Sequence, residues 1–223
     1  MTTRPDDQLF RKIRASLYVA VISDVLDSLG LMSQAMSPRI RPLDEEVVLV
    51  GYARTGLYHD VYEVKDGENP YELEIALVDD LKPGEVPVLG CGATGRIAPW
   101  GELLSTAAVA RGATGCVTDG LVRDIRIIRK MGFPVFHGGI GPLDTRGRGK
   151  LVEMDVPIEC DGVRVRSGDL MFGDADGLIV IPCEVQDETI AKALEKVSAE
   201  NVTREELAKG AKLKDIYDKY GVL

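Results

Sequence analysis

A chain of 223 residues with 45% apolar and 28% charged side chains is long enough to bury a full hydrophobic core in one domain. Its formal net charge of −9 argues against a nucleic-acid binder, which needs a basic face for phosphate, and no apolar run reaches the roughly 18 residues of a membrane helix. The opening MTTRPDDQLF lacks the apolar core of a signal peptide, so a cytoplasmic protein is expected, with its four separated cysteines reduced rather than paired.

In chain order, DQLFRKIRA and VAVISDVLDSLG carry apolar residues at helical spacing, and Gly30 closes the second as a C-terminal cap. EEVVLVGYARTGL is rich in valine and reads as a strand. YELEIALVDDLKPGE reads as a helix after Pro70, stopped by the Pro83-Gly84 turn. An alternating block follows: VPVLG as strand, GELLSTAAVARGA as helix, TGCVTD as strand, RDIRIIRKMG as helix and FPVFHG as strand. This β-α-β-α-β order with short connections predicts a parallel sheet with right-handed crossovers. Beyond Gly149, KLVEMDVPIECDGVRVRSGDLMFGDADGLIVIPCE is a series of short Val/Ile strands separated by Asp-Gly and Gly-Asp turns, the texture of antiparallel structure. EVQDETIAKALEKVSAENVTREELAKG then predicts a charged helix and LKDIYDKYG a short last one. The expectation is a single α/β domain over residues 1–223, its parallel and hairpin-rich parts sharing one core, with a helical extension over 183–223.

The stretch EVPVLGCGATGRIAPWGELLS holds a literal G-x-G-x-x-G at Gly90, Gly92 and Gly95. A dinucleotide fingerprint needs its last glycine to open a helix, so that the helix N-terminus meets the pyrophosphate. Pro99 disfavours helix directly after Gly95, and the helix is expected to begin near Gly101. Asp119, at the end of the next strand, stands where a ribose-binding acid would sit. A nucleotide-dependent oxidoreductase is the least favoured reading. The preferred one has the loop deliver backbone to a helix N-terminus at Gly101, whose free N–H groups can grip an anion.

Glu102 opens one helix of the block and Arg123-Asp124 the next, both after the carboxyl ends of successive strands. In an open parallel sheet those ends share the edge where ligands bind, so two carboxylates and a guanidinium are expected at one crevice. A hard cation such as Mg²⁺ takes oxygen ligands and keeps several waters, so one or two carboxylates suffice for it. An arginine fork beside them can hold a substrate carboxylate. The same residues also have a purely structural reading, because acids favour helix N-termini and exposed Arg–Asp pairs are common.

The segment WGELLSTAAVARGATGCVTDGLVRDIRIIRKMGFPVF, followed by VRSGDLMFGDADGLIVIP, resembles the RraA-like family. That family includes the regulator of ribonuclease E activity and the 4-hydroxy-4-methyl-2-oxoglutarate / 4-carboxy-4-hydroxy-2-oxoadipate aldolases. The resemblance runs from VAVISDVLDSLG to the terminal KYGVL. It implies a swivelling β/β/α domain assembled as a homotrimer or hexamer, with sites at the subunit boundary and the C-terminal helices near that boundary. It further implies Asp124 as ligand to Mg²⁺ or Mn²⁺, Arg123 as the group that binds pyruvate, and Glu102 as holder of a metal-bound water. Backbone amides of Gly101, Leu103 and Leu104 would take the substrate carboxylate. Glu200, in SAENVTRE, is the best match to a catalytic glutamate supplied by a neighbouring subunit. One departure stands out: RDIRI places Ile127 where the aldolase motif carries a second acid. Loss of a group supporting the metal's water shell is expected to weaken metal binding about 10- to 100-fold; alternatively Ile127 packs in the helix core.

The function these features imply is a metal-dependent aldolase or decarboxylase of a small 2-oxo acid, such as 4-hydroxy-4-methyl-2-oxoglutarate or oxaloacetate. The alternative is a non-catalytic regulator whose acidic surface docks onto an RNase or another protein. Other segments read as structural. GDADG, from Gly173 to Gly177, is expected to be a hairpin turn, and GPLDTRGRGK a surface loop with Arg146 and Arg148 as candidate lid residues. Cys116 and Cys183 are expected in the core and His137 at a strand end. With His59, the histidines number two, too few for a histidine-rich metal site.

Overall fold

A computed structural model of the chain describes residues 5–92 and 95–221. Two helices lead it, α1 (Pro5–Ser16) and α2 (Val19–Ser28), and Gly30 takes a left-handed φ of 79° to end the second, as its sequence predicts. There follow β1 (Arg41–Pro42), β2 (Leu49–Asp60), α3 (Glu72–Asp79), β3 (Glu85–Gly90), α4 (Glu102–Arg111), β4 (Cys116–Val122), α5 (Ile125–Met131) and β5 (Val135–Ile140). The second half supplies β6 (Gly149–Met154), β7 (Ile158–Cys160), β8 (Val163–Val165), β9 (Leu170–Asp174), β10 (Gly177–Ile181), then α6 (Gln186–Ala208) and α7 (Leu213–Tyr220). Helix α3 ends at Asp79, short of the Pro83-Gly84 turn, and Arg54 Nη1 donates to the Asp80 carbonyl at 2.8 Å just beyond it.

The expected parallel core is present: β2–β3, β3–β4 and β4–β5 are all parallel pairs. The hairpin-rich half joins the same eight-stranded sheet, ordered β1-β5-β4-β3-β2-β9-β10 with β6 also on β2. Strand β2 makes this possible by dividing one edge between two partners. Leu49–Tyr52 pairs antiparallel with β9, and Gly56–Asp60 pairs antiparallel with β6. Residues 35–42 then tie the two ends of the sheet together, through the bridge Ala35↔Ile179 at β10 and the pair Arg41↔His137 at β5.

Alternation along the strands sorts the core into layers. Leu170 and Phe172 pack against α1, α2 and α6, whereas Met171 between them packs with Leu49, Val88, Val117 and Phe136 under the β7–β8 hairpin. Leu89 and Cys116, one residue out of phase with Val88 and Val117, pack against Leu77, Ala108 and Ile128 of α3, α4 and α5. Burial on both faces explains why these strands read as nearly continuous apolar runs. GDADG is the β9–β10 turn, and Asp174 in it also accepts the Val19 N–H at 2.8 Å, capping α2. Cys116 is buried as expected, but Cys183 is exposed. The chain leaves the sheet at Pro182, so Cys183 opens a 3-10 turn outside the core. Among the described residues, no helix is long and apolar enough to cross a membrane.

Candidate active site

Strand β4 carries a bulge between Thr118 and Leu121, and the segment before α4 runs alongside its end. Leu121 N–H donates to Ile97 O at 3.0 Å, Trp100 bridges to Val122, and Arg123 N–H donates to Trp100 O at 3.0 Å. This short ladder brings the turn before α4 and the turn after β4 onto one rim, although residues 91–101 separate β3 from α4. Gly101 is the N-cap of α4 and has no side chain to cap with; Asp124 does so from the adjoining turn, accepting the Glu102 N–H on Oδ2 at 3.2 Å. Asp124 lies in the left-handed region, at φ 60° and ψ 26°, which aspartate tolerates better than most residues. Helix α5 consequently begins at Ile125, two residues later than its sequence suggests, and Arg123-Asp124 form its approach rather than its first turn.

Gly101, Glu102, Leu103, Leu104, Arg123 and Asp124 line one cleft of about 240 Å³. Arg123 Nε lies 3.8 Å from Asp124 Oδ2 and Nη1 lies 3.3 Å from Asp144 Oδ1. The Glu102 carboxylate accepts the Thr106 hydroxyl at 2.9 Å. The first-turn amides of Leu103 and Leu104 have no intrahelical acceptor, as in any helix start. Two open depressions adjoin the cleft at Asp124, one lined by Ile125, Arg126, Ile127 and Lys130, the other by Arg123, Ile125, Ile140, Gly141 and Pro142.

Three lining residues carry no signal in the sequence: Tyr71, Glu74 and Asp144. The Tyr71 hydroxyl donates to Asp144 Oδ2 at 2.5 Å, and the Tyr58 hydroxyl donates to Glu74 Oε2 at 2.7 Å. Burial raises the Glu74 carboxyl above its usual range despite the Tyr58 hydroxyl. Burial also acts to raise Asp144, but the Tyr71 hydroxyl and the Arg123 guanidinium outweigh it and its carboxyl lies below the ordinary range. Tyr71 precedes a helix and Asp144 sits in a Gly/Pro-containing loop, both ordinary places for such residues, so nothing local marks them.

Glu200, expected to serve a neighbouring subunit's site, lies on α6, accepts a hydrogen bond from Tyr18 and does not line its own chain's clefts at Asp124. Other expectations turn out differently. Ile127 does not pack in the core; it is 50% exposed, because the side of α5 that faces the core belongs to Ile128. Arg146 and Arg148 are exposed and line none of these three clefts, and the loop's contribution to the site is Asp144. His137 is buried inside β5 with Nδ1 unpartnered among the described residues.

The glycine loop is not built for a dinucleotide. Residues 93 and 94 lie outside the described residues, but the helix starts only at Glu102, well beyond Gly95. Asp119 is 2% exposed and its carboxylate is consumed by backbone, accepting Cys91 N–H at 2.5 Å and Asp161 N–H at 3.4 Å. The bulge in β4 aims it at the loop, where it serves as an anchor.

The donors at the rim suit a hard cation: they are oxygens only, and Asp124 is 45% exposed with no protein hydrogen bond to Oδ1 among the described residues. Elsewhere Asp169, Cys183 and Glu184 come within ligating distance of one another, but the Arg166 guanidinium already sits among them, 2.5 Å from Glu184 and 3.5 Å from Asp169.

A family model described as RraA-like, Aldolase/RraA, matches residues 19–180. A protein of Halalkalibacterium halodurans, named a candidate 4-hydroxy-4-methyl-2-oxoglutarate aldolase, is 35% identical over 184 residues, which cover 82% of this chain and 81% of its own. The solved structure of Streptomyces coelicolor RraAS2, described as an unusual member of the RNase ES inhibitor RraA family, matches with a TM-score of 0.78 at 25% identity over 92% of this chain and 99% of that one. An uncharacterised protein of Pseudomonas syringae pv. tomato matches with a TM-score of 0.81 at 27% identity over 94% and 96%.

Proposed function

Since the chain belongs to the RraA-like family, we propose that it is a divalent-metal-dependent carbon–carbon lyase that releases pyruvate from a small 2-oxo acid. The substrate is a 4-hydroxy-2-oxo acid such as 4-hydroxy-4-methyl-2-oxoglutarate, with oxaloacetate decarboxylation as a second activity of the same site. The observation that carries this reading is the convergence of Glu102, Arg123 and Asp124 on one cleft, with Asp124 Oδ2 against the Glu102 N–H at 3.2 Å.

Asp124 is the residue that would hold Mg²⁺ or Mn²⁺, and the ion would supply Lewis acidity at the substrate's keto oxygen. Arg123 places fixed positive charge where negative charge develops as the bond beyond C3 breaks. The amides of Gly101, Leu103 and Leu104 orient the substrate carboxylate, and Glu102 holds the water that carries the proton. In a single chain the site is open, and Leu103, Ile127 and Ile140 beside it are 76%, 50% and 54% exposed. Such apolar exposure favours a homotrimer or hexamer that covers the rim. Glu200 is supplied to this site from a neighbouring copy. Purified protein should cleave these substrates only with Mg²⁺ or Mn²⁺, lose activity with EDTA, and lose it in Asp124→Ala; wild-type turnover in that variant rejects the assignment.

A second reading is a non-catalytic regulator that binds an RNase. Ile127 favours it, since a hydrophobic residue stands at the exposed position where the aldolase motif has an acid. Stoichiometric RNase binding, together with no turnover on a panel of 2-oxo acids, would put this reading first.

A further inference from the structure

Arg123 is tethered at its tip by a chain of contacts from two remote segments. Asp144 Oδ1 faces Arg123 Nη1 at 3.3 Å and accepts the Thr145 N–H at 2.9 Å, while Oδ2 accepts the Tyr71 hydroxyl at 2.5 Å. Both carboxylate oxygens are therefore committed. The loop that carries Asp144 is itself pinned on either side of the site. Gly141 N–H donates to Val122 O at 3.1 Å, and Ala98 N–H donates to Leu143 O at 3.0 Å. Tyr71 is fixed as the N-cap of α3, with its own N–H on Asn69 Oδ1 at 3.1 Å.

Arg123, by contrast, has no hydrogen bond from its guanidinium to protein among the described residues; its polar partners there are the two carboxylates, Asp124 and Asp144. A guanidinium with its donors left over is ready for a ligand, but a long flexible stem needs something to aim it. Asp124, on the same rim, approaches only the Nε side, at 3.8 Å. Asp144 meets the far end of the fork, at Nη1.

We propose that Asp144, braced by the Tyr71 hydroxyl, is a positioning residue for Arg123, setting where the guanidinium charge stands in the cleft. Asp144 acts through Arg123 rather than on the substrate. The inference rests on the lyase reading for its consequence in turnover, whereas the aiming of Arg123 can be observed without any reaction.

The test uses the full chain and the variants Asp144→Asn, Asp144→Glu and Tyr71→Phe. In Asp144→Asn, kcat on a 2-oxo acid with Mn²⁺ should fall about 10- to 100-fold with KM little changed, because misplacement costs rate more than binding. Asp144→Glu should recover part of that loss and Tyr71→Phe should show a smaller one. Arg123→Lys combined with Asp144→Asn should be no worse than Arg123→Lys alone, since the two residues act as one unit. Independently, the Arg123 Nε resonance, assigned by its loss in Arg123→Lys, should shift between the wild type and both Asp144→Asn and Tyr71→Phe, at unchanged melting temperature. If no 2-oxo acid is turned over by the wild type, the lyase reading fails and the shift of the Arg123 resonance alone decides the positioning. An Arg123 resonance identical in all forms, or wild-type kcat in Asp144→Asn, overturns it.

Discussion

Gly101 and Asp124 stand so close that a methyl group on Gly101 would lie 2.7 Å from Asp124 Oδ2 and 3.1 Å from Arg123 Cγ. The backbone of Gly101, at φ −154°, suits any residue, so the constraint is space and not conformation. Gly101→Ala should leave the fold intact, because the clash meets side chains on an open rim. It should displace the carboxylate proposed to hold the metal and the arginine together, and Mn²⁺ affinity and turnover should each drop about tenfold or more. Manganese titration followed by electron paramagnetic resonance checks the first, and pyruvate release the second. Unchanged binding would mean that Asp124 is not the ligand.

Ile127 offers the converse experiment. It is half exposed and adjoins Asp124 in a shallow depression, so a charged residue there costs little folding energy. Ile127→Glu should tighten Mn²⁺ binding by about tenfold, the lower end of what supporting groups around a metal contribute. Calorimetric titration of both proteins with manganese measures it directly; an unchanged or weaker affinity removes Ile127 from the account of the metal site.

Asp119 is predicted to matter for stability and not for nucleotide binding. Asp119→Ala removes the acceptor for the buried Cys91 N–H and should cost about 1–3 kcal/mol in urea unfolding. Neither the wild type nor the variant should show saturable quenching of Trp100 by NAD(H). Quenching that Asp119→Ala abolishes would restore the dinucleotide reading of the glycine loop.

His137 makes stability depend on pH. Burial, with the Arg129 charge nearby, holds its imidazole down to about 4 from an ordinary 6.5. The folded protein thus binds fewer protons than the unfolded chain between these values. The contribution is fully present above 6.5 and is lost as pH falls toward 4, amounting to about 2 kcal/mol between pH 7.5 and pH 5. Urea unfolding at the two pH values should show that decline in the wild type and a smaller one in His137→Leu. Equal declines would mean that other groups carry the dependence.

The parts of the site that could be read from sequence share one property. Glu102 and Arg123-Asp124 each follow a strand in a β-α-β-α-β block, and that block's topology places both turns on the same edge before any side-chain contact is known. Tyr71, Glu74 and Asp144 have no such marker. Tyr71 meets Asp144 across 73 positions of sequence, and Tyr58 meets Glu74 through the packing of α3 on the sheet. Cys183 illustrates the same limit at the end of an apolar strand. Its neighbours predict burial, and one proline turns it outward.

Periodicity, turn residues and caps are short-range interactions, so the chain by itself determined its elements, their order, the parallel block and the two turns that carry the acid and the arginine. The tertiary structure alone decided that β2 divides one edge between β6 and β9 and thereby merges two sheets into one. It alone decided that Asp124 caps α4 and that Asp144 reaches Arg123. Those outcomes depend on contacts between segments far apart in sequence, whose energies arise only when the core has closed and which leave no pattern in any local stretch of residues.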